Sequence, residues 1–188
     1  MFGVLISALT LATLGSIAVF TGAIPSPLDR GFTTAAPDTG AQYPPAPCPP
    51  GGTLAVAYQS VQVTVLNATK RAGLATDTAN ALAGRGFVIL ATRNSPAVVK
   101  GTAEIRFGAA GVAAAYTLAG QLKNPTLVFD ERADPTVDLA VGGTFATPLD
   151  PSKVTVTPGA TLVGGDGCVP LADAVPVPAA VEATPAAG

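Results

Sequence analysis

The chain has 188 residues, which is enough for one ordinary domain with additional segments. Charged residues make up only 12% of the composition and the net charge is -2. A nucleic-acid-binding protein needs a basic surface, so nucleic acid is excluded as a partner. Histidine is absent, which removes Ser-His-Asp catalysis, imidazole metal ligands and the usual general base near pH 7. We therefore expect no cofactor and no metal ion.

The N-terminal segment is uncharged from Phe2 to Ile24. As a helix its residues would span about 34 Å, against roughly 30 Å for the hydrocarbon core of a bilayer. This length, together with a mean hydropathy of +0.47 for the whole chain, predicts a transmembrane anchor over residues 1–24 that crosses the cell membrane once. No Lys or Arg precedes the segment, so the positive-inside rule does not decide its orientation. The alternative is a signal peptide with the cleavage site Thr21-Gly22-Ala23.

Two low-complexity segments flank the centre of the chain. Residues 25–58 contain eight prolines, which favour extended conformations and predict a Pro-rich extracytoplasmic linker. Residues 151–188 are rich in Ala, Pro and Val and are predicted to be mostly disordered. The composition therefore leaves residues 59–150 as the folded domain.

The first half of this domain follows a strand–helix–strand pattern. Val61, Val63 and Val65 alternate with polar residues, which indicates a strand. A helix is predicted over 74–83, with Thr69 as the candidate N-cap and apolar positions four apart on one face. The next segment, Phe87–Ala91, is uniformly apolar and predicts a buried strand. Together they form one βαβ unit.

The second half repeats the pattern. Glu104–Phe107 is predicted as a short strand, followed by a glycine turn over Gly108–Gly111. A helix is expected over Val112–Leu122, because Asn124-Pro125 breaks it, and a strand over Thr126–Asp130. Val137–Val141 would be a further strand. The predicted fold class is α/β: a small α/β sandwich of two βαβ-like units plus a further strand, preceded by the N-terminal transmembrane helix.

These segments carry a resemblance to a known family. VQVTVLNATKRAGLATDTANALAGRGFVI resembles the opening of the LytR C-terminal domain, in which a V-x-V-x-N-x-(T/S) strand end precedes x-x-x-G-x-A and a helix. IRFGAAGVAAAYTLAGQL and the run from Asp130 to Leu139 are similar to mycobacterial envelope-integrity members. The resemblance extends from Ser60 to Leu149 and implies a single-pass actinobacterial envelope protein. The phosphotransferase domain of LytR-type enzymes and the family's basic cytoplasmic tail are not present in this sequence.

The connection between the first strand and helix contains candidate binding residues: Asn67, Lys70, Arg71 and Gly73. A helix N-terminus favours anions, and Lys70 and Arg71 precede one here. Neither this loop nor the turn at Gly108–Gly111 completes a phosphate-binding motif. Close packing of strand against helix is therefore the favoured explanation of the glycines.

A second candidate site is the acidic segment that contains Asp130, Arg132, Asp134 and Asp138. Paired carboxylates can perform acid–base chemistry or bind a hard cation. Arg132 lies among them, however, and no cation-loop spacing is present. We expect a solvated structural loop in which Arg132 forms an ion pair, with Asp134 within reach in the sequence, and we expect no catalytic residue.

The two cysteines, Cys48 and Cys168, flank the domain. In an oxidising compartment an even pair outside the core favours a disulfide, and the alternative is free or intermolecular thiols.

The sequence thus predicts a non-enzymatic, membrane-anchored factor that supports cell-envelope integrity or cell-wall assembly by binding or scaffolding. Its domain would be extracytoplasmic, with a cell-wall polymer or an envelope protein as partner. Two alternatives remain: an envelope hydrolase that uses the carboxylates of Asp130 and Asp138, or a secreted domain released by signal cleavage.

Overall fold

A computed structural model of the protein describes residues 43–179. The strands are β1 (Gln62–Asn67), β2 (Val88–Asn94), β3 (Ala103–Phe107), β4 (Thr126–Phe129) and β5 (Val137–Val141). The helices are α1 (Leu74–Ala83) and α2 (Val112–Ala119). The predicted transmembrane segment lies outside the described residues. Within residues 43–179, no helix has both the length and the apolar composition needed to span a bilayer.

The five strands form one mixed sheet in the order β2-β1-β5-β3-β4. The units β1-α1-β2 and β3-α2-β4 each place their two strands side by side and parallel. β5 lies between the units, parallel to β1 and antiparallel to β3. The predicted α/β fold with two βαβ units and a further strand is therefore confirmed.

The core lies between one face of the sheet and the two helices. Alternate residues of a strand point to the same face, and here that face is apolar. Val63, Ile105 and Leu139 on the strands are fully buried, as are Leu82 of α1 and Leu118 of α2. Burial of each such side chain contributes about 1.5–3 kcal/mol, so this shared core holds the two units together.

Three local features differ from the sequence predictions. β2 is not buried, because it forms an edge of the sheet and leaves Leu90 50% exposed. α2 ends at Ala119, before the expected Leu122, and a Cβ on the next residue, Gly120, would lie 2.4 Å from that of Val156. α1 is preceded by Gly73, in the left-handed region at φ 79, instead of by a Thr cap.

The segments on both sides of the predicted domain pack against it. Cys48 N donates to Val169 O at 2.7 Å, and Leu162 N donates to Thr53 O at 2.9 Å. Val177 N donates to the carbonyl of the last β4 residue at 2.9 Å. Residues 43–58 and 151–179 therefore belong to the folded unit, although the sequence predicts a linker and a mostly disordered tail. Non-local backbone hydrogen bonds, which composition does not reveal, account for this difference.

Candidate functional site

The acidic candidate site lies at the end of β4 and the start of β5. Asp130 directly follows β4, and Asp138 is the second residue of β5. Arg132 joins them: its Nε donates to Asp130 Oδ1 at 2.9 Å and its Nη2 to Asp130 Oδ2 at 2.9 Å. Nη2 also donates to Asp138 Oδ2 at 2.6 Å. The structure thus brings these three predicted residues into one ion network.

A second ion pair on β3 lies beside this network. Arg106 is the register partner of Asp138 across the antiparallel β3–β5 pair. Its Nε donates to Glu104 Oε1 at 2.7 Å, and its Nη2 donates to the hydroxyl of Tyr43 at 3.0 Å. Sequence reasoning missed these residues. The available signal was the i, i+2 spacing of Glu104 and Arg106, which places two opposite charges on one face of a short strand.

Gly108 explains how the backbone of Arg132 comes so close to the end of β3. A Cβ at this position would lie 1.9 Å from the carbonyl oxygen of Arg132. Only a residue without a side chain leaves room for that crossing. The glycine turn therefore serves close packing, as the sequence favoured.

Burial separates this network from an ordinary surface cluster. Asp130 is 1% exposed, so the expectation of a solvated loop is wrong for it. Burial by itself lowers the pKa of the Arg132 guanidinium, but the hydrogen bonds and charges of Asp130 and Asp138 outweigh it and leave that pKa raised. Arg106 behaves in the same way. Burial lowers its pKa, but the charge and hydrogen bond of Glu104 outweigh this effect and leave the pKa raised. Both guanidinium groups therefore stay positively charged.

Asp134 takes no hydrogen bond from Arg132, so the expected pairing of these two residues is corrected. Its Oδ1 accepts from Thr136 N at 2.9 Å and from the Thr136 hydroxyl. The two hydrogen bonds hold the pKa of Asp134 below its usual value, and the bond from the hydroxyl has the larger effect. Asp134 therefore shapes the connection into β5 and stands apart from the buried ion network.

The network offers little to a substrate. A catalytic carboxylate pair needs one member protonated in an apolar pocket and oxygens open to the reacting group. Here Arg132 donates to both oxygens of Asp130 and to Oδ2 of Asp138, so three of the four carboxylate oxygens already accept a hydrogen bond. Between residues 43 and 179, no group of three or more acidic or cysteine side chains is arranged to hold a metal ion.

The other candidate residues form the β1–α1 connection. Asn67 shapes the turn: its Nδ2 donates to Arg71 O at 2.7 Å, and its Oδ1 accepts from Thr69 N at 3.0 Å. The Arg71 guanidinium donates to the carbonyl of Phe145, after β5. Lys70 is exposed. Asn67 and Gly73 are thus structural, whereas the two cations lie at the surface of the loop.

Cys48 and Cys168 form a disulfide, which confirms that prediction; their Cα atoms are 5.1 Å apart and their sequence separation is 120. A cleft of about 400 Å³ lies beside this disulfide, between the start of β4 and the N-terminal segment. Tyr116 lines the cleft, and its hydroxyl donates to Pro47 O at 2.9 Å. Burial raises the pKa of Tyr116. The other lining residues are three prolines and two glycines together with Tyr43, Ala46, Thr126, Leu127, Asp166 and the disulfide-bonded Cys168.

Comparison with known proteins agrees with this architecture. The family model for the LytR cell envelope-related transcriptional attenuator matches residues 60–145. The chain is 40% identical over 110 residues to the cell envelope integrity protein Cei of Mycobacterium tuberculosis. That alignment covers 53% of this chain and 50% of Cei, so the chain matches about half the length of this curated relative.

A solved structure is similar over a larger share of the chain. It is the soluble domain of a conserved hypothetical secreted protein from Mycobacterium marinum, with 30% sequence identity and a TM-score of 0.50. The match covers 66% of this chain and 83% of that one. Through the segment that forms the five-stranded sheet, the chain belongs to the family of the LytR C-terminal domain.

Proposed function

We propose that the protein is an extracytoplasmic envelope factor that supports cell-envelope integrity by binding and performs no catalysis. Its similarity to Cei, a protein named for envelope integrity, supports the setting. Its partner would be a cell-wall polymer or another envelope protein. The proposed setting also suits the disulfide, because such bonds persist in oxidising compartments outside the cytoplasm.

The chain would be held at the membrane by residues 1–24, which would cross it once and leave the domain outside. The uncharged run from Phe2 to Ile24 supports this part of the proposal. Intact mass of the protein purified from its membrane fraction tests it, since the anchor should still be present. A mature species that begins near Ile24 would instead identify a cleaved signal peptide.

The binding role rests on one observation, the hydrogen bonds that Arg132 donates to both carboxylates of the acidic site. Asp130 and Asp138 are the carboxylates that a hydrolase would use, and Arg132 already donates hydrogen bonds to both. An arginine that is hydrogen-bonded to both carboxylates favours their charged forms and stabilises the fold, whereas a catalytic pair needs one member protonated. We therefore assign these side chains to the architecture that carries a binding surface.

Complementation of a strain that lacks the protein tests the role. The Asp138→Asn variant should restore the envelope in proportion to its folded fraction, because the residue serves the fold. Asp134→Asn, an acidic residue of the same segment outside the network, is the matched control and should complement fully. Folded fraction and captured partners are measured on the same samples. An Asp138→Asn protein that folds and keeps its partners yet fails to complement would overturn the binding role and support a hydrolase.

A further inference from the structure

The sheet topology gathers three connections at one edge. β1, β2 and β5 are mutually parallel and end there, and β3, antiparallel to β5, begins there. The connections after these strands are joined by backbone hydrogen bonds: Ser95 N to Asn67 O at 2.9 Å, Ala68 N to Val141 O at 3.0 Å, and Gly142 N to Thr102 O at 2.9 Å. We call residues 68–73, 93–102 and 142–144 the basic edge.

The charges of this edge have one sign. Lys70, Arg71, Arg93 and Lys100 are four of the nine Lys and Arg residues between positions 43 and 179. The three segments contain no Asp or Glu, and the nearest acidic residue along the chain is Glu104, whose carboxylate pairs with Arg106. A chain with a net charge of -2 therefore concentrates positive charge on one end of its sheet.

The opposite end of the sheet carries the opposite sign. β4 ends there, and Asp130, Glu131 and Asp134 follow it. The cations beside them are Arg132 and Arg106, and each is paired with a carboxylate. Arg132 is already bonded to two carboxylates. The folded unit thus has a charge asymmetry along its strands, which would orient it with the basic edge toward an anionic surface.

An exposed apolar side chain lies among these cations. Val98, in the β2–β3 connection, is 63% exposed and precedes Lys100 by two residues. Cations alone would suit a soluble polyanion. Cations with an exposed aliphatic group suit the interface of a bilayer, where phosphates and acyl chains lie close together.

We propose that the basic edge docks onto an anionic phospholipid surface. Lys70, Arg71 and Lys100 would approach the lipid phosphates, and Val98 would enter the boundary between headgroups and acyl chains. The inference rests on the proposed membrane tether, which keeps the domain beside such a surface. Docking would turn the acidic end of the sheet, and any partner site there, toward the cell wall.

The absence of tryptophan from the chain allows a direct test. Val98→Trp introduces a single fluorophore at the proposed contact, and Val175→Trp places one at a control position with the same exposure of 63%. The full chain is reconstituted into nanodiscs of phosphatidylcholine, with or without phosphatidylglycerol. Emission from Val98→Trp should shift to the blue only in discs that contain phosphatidylglycerol. Emission from Val175→Trp should be the same in both.

Charge variants in the Val98→Trp background test the electrostatic part. Lys70→Glu should abolish the blue shift, and Lys153→Glu, an exposed cation outside the basic edge, should preserve it. About 1 M salt should also abolish the shift in the parent protein, since it shortens the Debye length to roughly 3 Å.

Three results would overturn the inference: no shift on anionic discs, an equal shift from Val175→Trp, or a shift with soluble polyphosphate but none with phosphatidylglycerol. The last result would identify the ligand as a soluble polyanion. If the docking fails while the chain still restores the envelope, the inference falls and the proposed function stands. If Lys70→Glu loses lipid contact and also fails to complement, docking onto the lipid is required for the proposed function.

Discussion

Arg132 is held between two carboxylates at a position where its side chain is only 11% exposed and that of Asp130 is 0% exposed. Burial of such charges is costly, and the mutual hydrogen bonds offset that cost only while every partner is present. Removal of the arginine leaves Asp130 in place without a counter-charge. The energetic consequence at this residue is therefore larger than for a surface ion pair, which contributes about 0–1 kcal/mol.

Arg132→Met should lower the free energy of unfolding by about 3–5 kcal/mol, because it leaves a buried carboxylate unpaired. Urea denaturation measures the change. Lys123→Met, which removes an exposed cation, should stay within about 0.5 kcal/mol of the parent. The double variant Asp130→Asn/Arg132→Met should recover part of the loss, since it also removes the buried charge. A loss below about 1 kcal/mol for Arg132→Met would contradict a buried network.

Gly108→Ala should destabilise the domain by about 1–3 kcal/mol, near the upper end because the new Cβ meets a backbone oxygen. The backbone of Arg132 would have to move away, and the ion network with it. Gly51→Ala is the matched control, because a Cβ at Gly51 has no neighbour within 4 Å. Thermal melts of the two variants make the comparison. Equal melting temperatures would contradict the close approach of the Arg132 carbonyl to Gly108 at the end of β3.

At the scale of elements, β2 shows how position in a sheet overrides local composition. The apolar run before and within β2 resembles a buried strand, yet β2 has a neighbour on one side only, β1. Phe87, just before the strand, is buried, whereas Val88 is 40% exposed. An edge strand needs only one apolar face. The pattern of apolar residues along β2 therefore does not show that it lies at the edge of the sheet.

The connection from β4 to β5 should make stability depend on acid pH through Asp134. Its folded-state pKa is lower than the unfolded value of 3.8, so its ionised form stabilises the fold above that value. This contribution is lost as pH falls through the lowered folded pKa, below about pH 4. Asp134→Asn removes the titration. Thermal melts between pH 7 and pH 2 should therefore show a steeper acid loss for the parent, and parallel curves would contradict the Thr136 contacts.

At the scale of the whole molecule, the disulfide links two segments that the sequence separates by 120 positions. Cys48 and Cys168 lie in the flanking segments that pair with each other and cover the sheet domain. A cross-link over a loop of this size restricts the unfolded chain strongly. The flanks therefore belong to the same cooperative unit as the sheet.

The Cys48→Ser/Cys168→Ser variant should lose about 4–5 kcal/mol of stability, from the loop entropy that the disulfide removes. Urea denaturation measures it, and the reduced parent protein should show a similar loss. Peptide mapping without reduction should recover the two cysteine peptides as one linked species. Alkylation of both thiols without prior reduction would contradict the bridge.

The sequence by itself determined the features that depend on neighbours along the chain. Alternating valines before Asn67 and glycines after Ala83 set the first βαβ unit, because side-chain periodicity and helix ends are local properties. The position of Arg132 among acidic residues likewise indicated an ion pair, although the sequence favoured Asp134 as its partner and the structure gives it Asp130 and Asp138. Two cysteines in a predicted extracytoplasmic chain were enough to expect their bond.

Only the tertiary structure decided the features that depend on distant segments. The insertion of β5 between β1 and β3 sets Arg106 opposite Asp138 and extends the acidic site. The distant segment around Val177 pairs with Asp130, which is buried. The same topology collects Lys70 and Lys100 at one end of the sheet, although 30 positions separate them in the sequence. Strand order is set by which hydrophobic faces and backbone edges meet in three dimensions, and a one-dimensional pattern does not encode that choice visibly.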